Sequence, residues 1–163
     1  MKLNQLFAAT VFGLAALFGW GGTGHAADQI IKVDQVIDLN ALVPEKVYQF
    51  VPDYLWVEPG DTIRFLNSLG NHTVTSLKGV WPEGAERVDI EHQAVADVIL
   101  EVPGVYGFRC KVHGRHGMYA LVVVGAPDSN LDSALKAKVG GRSKKVFEGL
   151  LGKLKADIAK RGN

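Results

Sequence analysis

Residues 109–119, RCKVHGRHGMY, hold the one cysteine of the 163-residue chain, Cys110, two of its five histidines, His113 and His116, and one of its two methionines, Met118. Thiolate, imidazole and thioether are soft ligands, which favour copper over magnesium, calcium or manganese. A cysteine, two histidines and a weak, long axial methionine together make a blue-copper electron-transfer site. The Cys-x2-His-x4-Met spacing supplies three of those four from one tight loop. A second histidine must come from elsewhere, and His72 in GNHTVTS (70–76) is the candidate. His116 as the loop ligand in place of His113 would leave His113 idle and squeeze the ligand against Met118. Singly, each residue has an ordinary explanation, since a lone cysteine is usually a small buried hydrophobe. The combination is what carries the chemistry, and His72, Cys110, His113 and Met118 are the candidate ligands.

Four protein ligands would fill the coordination shell. Catalytic metal sites keep an open position for substrate, and His92 and His116 have no evident partners for a second cluster. The expectation is therefore a one-electron carrier and not an enzyme. A copper storage or delivery protein, using the same soft ligands for Cu(I), is the alternative, and a copper oxidoreductase fits less well.

The compartment bears on the thiol. Lys2, the apolar run LFAATVFGLAALFGW (6–20) and the small residues Gly24 and Ala26 read as a secretory signal peptide over 1–26, cut after Ala26. The mature chain would start at Ala27 in the periplasm, with no stable membrane insertion after cleavage. One cysteine in an oxidising compartment has no partner within the chain and must be buried or ligated.

Elements suited to position the loop flank it. VYQFV (47–51), LWV (55–57), TIRFLN (62–67), ADVILEV (96–102), GVYGFRC (104–110) and MYALVVV (118–124) are rich in β-branched and aromatic residues. Between them stand turn signals such as EPGD (58–61), LGN (69–71) and WPEG (81–84). This predicts an antiparallel sandwich or barrel, with Cys110 closing one strand and Met118 opening the next. Two amphipathic helices should follow. SNLDSALKAKV (129–139) offers Ser129 or Asn130 as a cap and spaces Leu131, Leu135 and Val139 on one face. After Gly140-Gly141, residues 143–160 align Val146, Phe147, Leu150, Leu151, Leu154 and Ile158.

Charge is divided along the chain. Residues 27–127 carry eight Lys/Arg against thirteen Asp/Glu, and residues 128–163 carry nine against four, within an overall net charge of +1. Against that acidic background Arg109, Lys111 and Arg115 form a local basic rim on the ligand loop. No nucleic-acid-binding pattern is present.

The stretches VEPGDTIRF (57–65), GNHTV (70–74), SLKGVWPEGAE (76–86), VPGVYGFRC (102–110), the Cys-x2-His-x4-Met loop and SNLDSALKAK (129–138) resemble the pseudoazurins of the cupredoxin family, over roughly residues 54–160. The resemblance implies an all-β, cupredoxin Greek-key β-sandwich over 27–127 with two C-terminal α-helices in 128–163. It also implies one type 1 (blue) copper per chain on His72, Cys110, His113 and Met118. The role would be that of a monomeric periplasmic carrier for redox proteins such as a copper or haem reductase, a dehydrogenase or cytochrome c. Thr73 stands where the family usually has asparagine, a residue that helps tie the two ligand loops together. Val112, Gly114-Arg115 and His116 replace the usual Pro, Tyr-Gly and first Met of the loop.

Overall fold

Ile63 and Phe65 are wholly buried while Thr62, Arg64 and Leu66 around them are half-buried. That is the period-2 alternation of a strand with one face in a core. The computed structural model describes residues 29–67 and 71–162; the expected signal peptide over 1–26 and most of the expected turn at 69–71 lie outside them. Nine strands are described: β1 Ile30–Ile37, β2 Tyr48–Val51, β3 Tyr54–Val57, β4 Thr62–Leu66, β5 Thr73–Ser76, β6 Asp89–Glu91, β7 Val95–Ile99, β8 Gly104–Arg109 and β9 Tyr119–Val124. Helices α1 Leu131–Lys136 and α2 Ser143–Arg161 follow.

The strands form two sheets, ordered β2-β1-β4-β7 and β3-β9-β8-β5-β6. The β1–β4 and β3–β9 pairs are parallel and the others antiparallel. One core cluster joins Val33, Phe50, Ile63, Phe65 and Val98 of the first sheet to Val74, Phe108, Ala120 and Val122 of the second, the arrangement of a β-sandwich. The chain thus has the expected β-sandwich, with two parallel strand pairs where an antiparallel arrangement was expected.

β9 (YALVVV) is buried at all six positions because it is covered on both sides. Ala120, Val122 and Val124 face the sandwich core. Tyr119, Leu121 and Val123 pack against Phe147, Leu150, Leu151 and Leu154 of α2. Burying such side chains is worth about 1.5–3 kcal/mol each, so the helix is fastened by its apolar stripe. The segment after β5 covers β8 in the same way. Leu77 N–H donates to the Gly107 carbonyl and Gly107 N–H to the Val80 carbonyl. A Cβ on Gly107 would stand 3.0 Å from the Cβ atoms of Leu77 and Val80, so only glycine permits this approach without a shift.

Several details depart from the sequence expectations. β1, β5 and β6 are additional strands. In β1 the inward positions include Gln35, 3 % exposed, whose polar side chain interrupts the apolar alternation. Helix α1 is shorter than 129–139, and neither Ser129 nor Asn130 caps it through its side chain. Asn130 instead holds the start of β8, accepting from Val105 N–H at 2.7 Å and donating to the Val105 carbonyl at 2.8 Å. Ser129 Oγ donates to the Pro103 carbonyl.

Candidate metal centre

Cys110 lies just past the end of β8 and Met118 just before β9, so the adjacent strands hold both ends of the loop together. Cys110 N–H donates to the Met118 carbonyl at 3.2 Å, and Gly114 N–H to the Cys110 carbonyl at 2.8 Å. A 3-10 turn over Gly114–His116 completes it, ending at Gly117 with φ 103°. That left-handed conformation suits glycine. A Cβ there would also stand 2.8 Å from Val146 Cγ2, so α2 packs directly on the loop. His72 precedes β5, and its carbonyl accepts from His92 N–H at 3.1 Å and Asn67 Nδ2 at 3.3 Å.

These two loops converge. His72 Nδ1 and His113 Nδ1 are 3.1 Å apart, and Cys110 Sγ lies 4.0 Å from the first and 3.7 Å from the second. All three residues are buried. A point equidistant from the three atoms is about 2.1 Å from each, close to ordinary metal–imidazole lengths of ~2.0–2.1 Å and metal–thiolate lengths of ~2.3 Å. The donor set therefore fits one ion, and its softness fits copper. Met118 is wholly buried in the same core cluster as Cys110. His116 is outside the three-residue cluster; its Nε2 accepts from Arg115 Nε at 3.0 Å.

The sulfur is surrounded by donors. Burial alone pushes the Cys110 thiol up, but hydrogen bonds from the backbone N–H groups of Thr73, His113 and Val112 and from the Thr73 hydroxyl outweigh it, leaving the thiol below its usual value. Both imidazoles are held below the usual histidine range, chiefly by desolvation. A thiolate and two neutral imidazoles are the protonation states in which such groups bind metal. Thr73 does more than its place in the sequence promised. Its Oγ1 accepts from Lys111 N–H at 2.7 Å and lies 3.8 Å from Cys110 Sγ, so one hydroxyl spans both ligand loops.

Two features were not legible in the sequence. The Tyr48 ring stacks on His113, a contact that nothing in VYQFV signals. The basic rim is also smaller than the sequence implied, because Lys111 Nζ pairs with Asp89 at 2.7 Å and Glu91 at 2.7 Å on β6. Among the described residues neither Arg109 nor Arg115 has a carboxylate partner.

A family model described as copper binding proteins, plastocyanin/azurin family, matches residues 38–125. The pseudoazurin of Paracoccus pantotrophus is 31% identical over 134 residues, covering 82% of this chain and 88% of that protein. The pseudoazurin of Methylorubrum extorquens is 41% identical over 91 residues, which span 56% of this chain and 62% of that protein. A crystal structure of pseudoazurin from Methylobacterium extorquens AM1 superposes with a TM-score of 0.69 at 33% identity, covering 77% of this chain and 99% of that one.

Proposed function

The chain belongs to the plastocyanin/azurin family of copper-binding proteins, and within it to the pseudoazurins, and on that premise we propose that it carries single electrons between periplasmic redox proteins. His72, Cys110, His113 and Met118 would hold one copper ion. The observation that carries this reading is the 3.1, 3.7 and 4.0 Å triangle of two imidazole nitrogens and one thiol sulfur. Bound copper supplies reversible one-electron chemistry between Cu(I) and Cu(II). The protein's part is to hold the donors still, so that little moves when the charge changes. β8, β9 and the Thr73 hydroxyl fix Cys110, and β5 and the anchored carbonyl fix His72. Hydrophobic packing around Cys110, Met118 and Phe108 excludes water, and the N–H groups aimed at the sulfur tune its electron donation.

A ligand set of four leaves no position for a substrate, which favours a carrier over an enzyme. The proposed periplasmic monomer has a signal segment over 1–26, a sandwich over 27–127 and a helical extension over 128–163. No helix among the described residues is long and apolar enough to cross a membrane. Partners would be reductases, dehydrogenases or cytochromes c of that compartment.

Titration of the metal-free protein with Cu(II) tests the carrier against the delivery reading. An intense visible thiolate-to-copper band that saturates at one ion per chain is expected. A colourless protein that retains only Cu(I) would instead support storage or delivery.

The remaining basic rim predicts a salt effect. Arg115→Glu should slow oxidation of the reduced copper protein by hexacyanoferrate(III) several-fold at low ionic strength, and hardly at all at high salt. Stopped-flow measurements across a salt series check this. Equal rates for both proteins at low salt would show that Arg115 does not steer anions.

A further inference from the structure

Metal-bound histidines almost always donate their second ring N–H to a carboxylate, a carbonyl or water, which fixes the ring plane. Among the described residues neither histidine has such a partner. His72 Nε2 is buried without one, and among the described residues no hydrogen bond reaches His113 Nε2. The last side-chain torsion of a histidine is soft, so a packing contact on the ring face bears directly on where His113 Nδ1 points. Tyr48 supplies it. The two rings are parallel within 6° with centroids 4.0 Å apart, closer than the roughly 4.5–7 Å usual for aromatic pairs. It is the one stacked pair among the described residues; Tyr48 and His116 meet at 40° and 5.5 Å.

Tyr48 can act as a fixed plate because it is not part of either ligand loop. It opens β2, pairs with Ile37 of β1 and packs against the sandwich core. We propose that Tyr48 is a positioning residue: its ring, anchored by β2, sets the plane of His113, keeps Nδ1 directed at the Cys110 sulfur and covers one imidazole face from water. This rests on the copper-site reading above, but it makes a claim about the protein without metal as well.

The test uses wild type, Tyr48→Phe and Tyr48→Leu. In the copper-free wild type, the His113 ring protons should be shifted upfield in the NMR spectrum by the tyrosine ring current, and the shift should survive in Tyr48→Phe and vanish in Tyr48→Leu. Copper affinity, measured by chelator competition on variants that melt within a few degrees of wild type, should fall about tenfold in Tyr48→Leu and stay nearly unchanged in Tyr48→Phe. An unshifted His113 ring in the wild type would overturn the stack outright, with no variant needed. Equal copper affinity for wild type and Tyr48→Leu would overturn its positioning role, as would an equal loss in both variants, which would implicate the hydroxyl. Failure of the wild type to bind copper would sink the carrier reading and leave the ring shifts to decide the stack separately.

Discussion

Cys110→Ser is expected to abolish the intense visible band completely while leaving the protein folded. The band requires a covalent thiolate–copper charge-transfer partner, and a serine oxygen is too hard and too poor a donor to replace it. The fold should persist because the change is nearly isosteric and the Thr73 and His113 N–H groups, now 3.5 and 3.4 Å from the sulfur, remain available to an oxygen. His72 and His113 also remain, so metal binding should weaken rather than vanish, and circular dichroism with metal analysis separates the two effects. Met118→Gln should keep the band but lower the potential, since a harder axial ligand favours Cu(II). His116→Ala should leave the spectrum intact. Bleaching by His116→Ala but not by His113→Ala would refute the proposed ligand set.

The readable parts of this site are those encoded locally. Cys110, His113 and Met118 lie within nine residues, and two strands with a 3-10 turn bring that spacing into one place. His72 is 38 residues from Cys110 and is legible only by asking what such a ligand set lacks. Tyr48 has no such logic. Its contact depends on the Ile37–Tyr48 register at one edge of the first sheet, which no local pattern specifies. Lys111 shows the same limit from the opposite side. Its charge reads as part of a free rim until the pairing of Thr73 with Glu91 brings β6 and its carboxylates alongside. The period of α2 is legible because its stripe is continuous, whereas β1 is obscured by one inward glutamine. Short-range pattern thus predicts elements and local ligands, and sheet register decides what surrounds them.

That division makes α2 the place to test how far the helical extension belongs to the sandwich. Phe147 is 1 % exposed, lies 5.8 Å from the Tyr119 ring between centroids, and sits in the cluster with Leu150, Leu154, Leu121 and Val123. Phe147→Ala removes most of that buried ring from the middle of a buried apolar cluster, so a loss of about 3–5 kcal/mol is expected. For a domain this size that amounts to a fall of roughly 10–20 °C in Tm. Lys155→Ala, on the exposed side of the same helix, should change stability by less than about 0.5 kcal/mol. Thermal melts of the metal-free proteins measure both. No candidate ligand lies on α2, so below its own transition Phe147→Ala should still bind copper with the wild-type band. A single, strongly shifted transition would show that helix and sandwich unfold together. An unshifted sandwich transition, with helix signal lost separately at lower temperature, would show that α2 merely rests on β9, and that the six buried positions of that strand are stabilised from the core side alone.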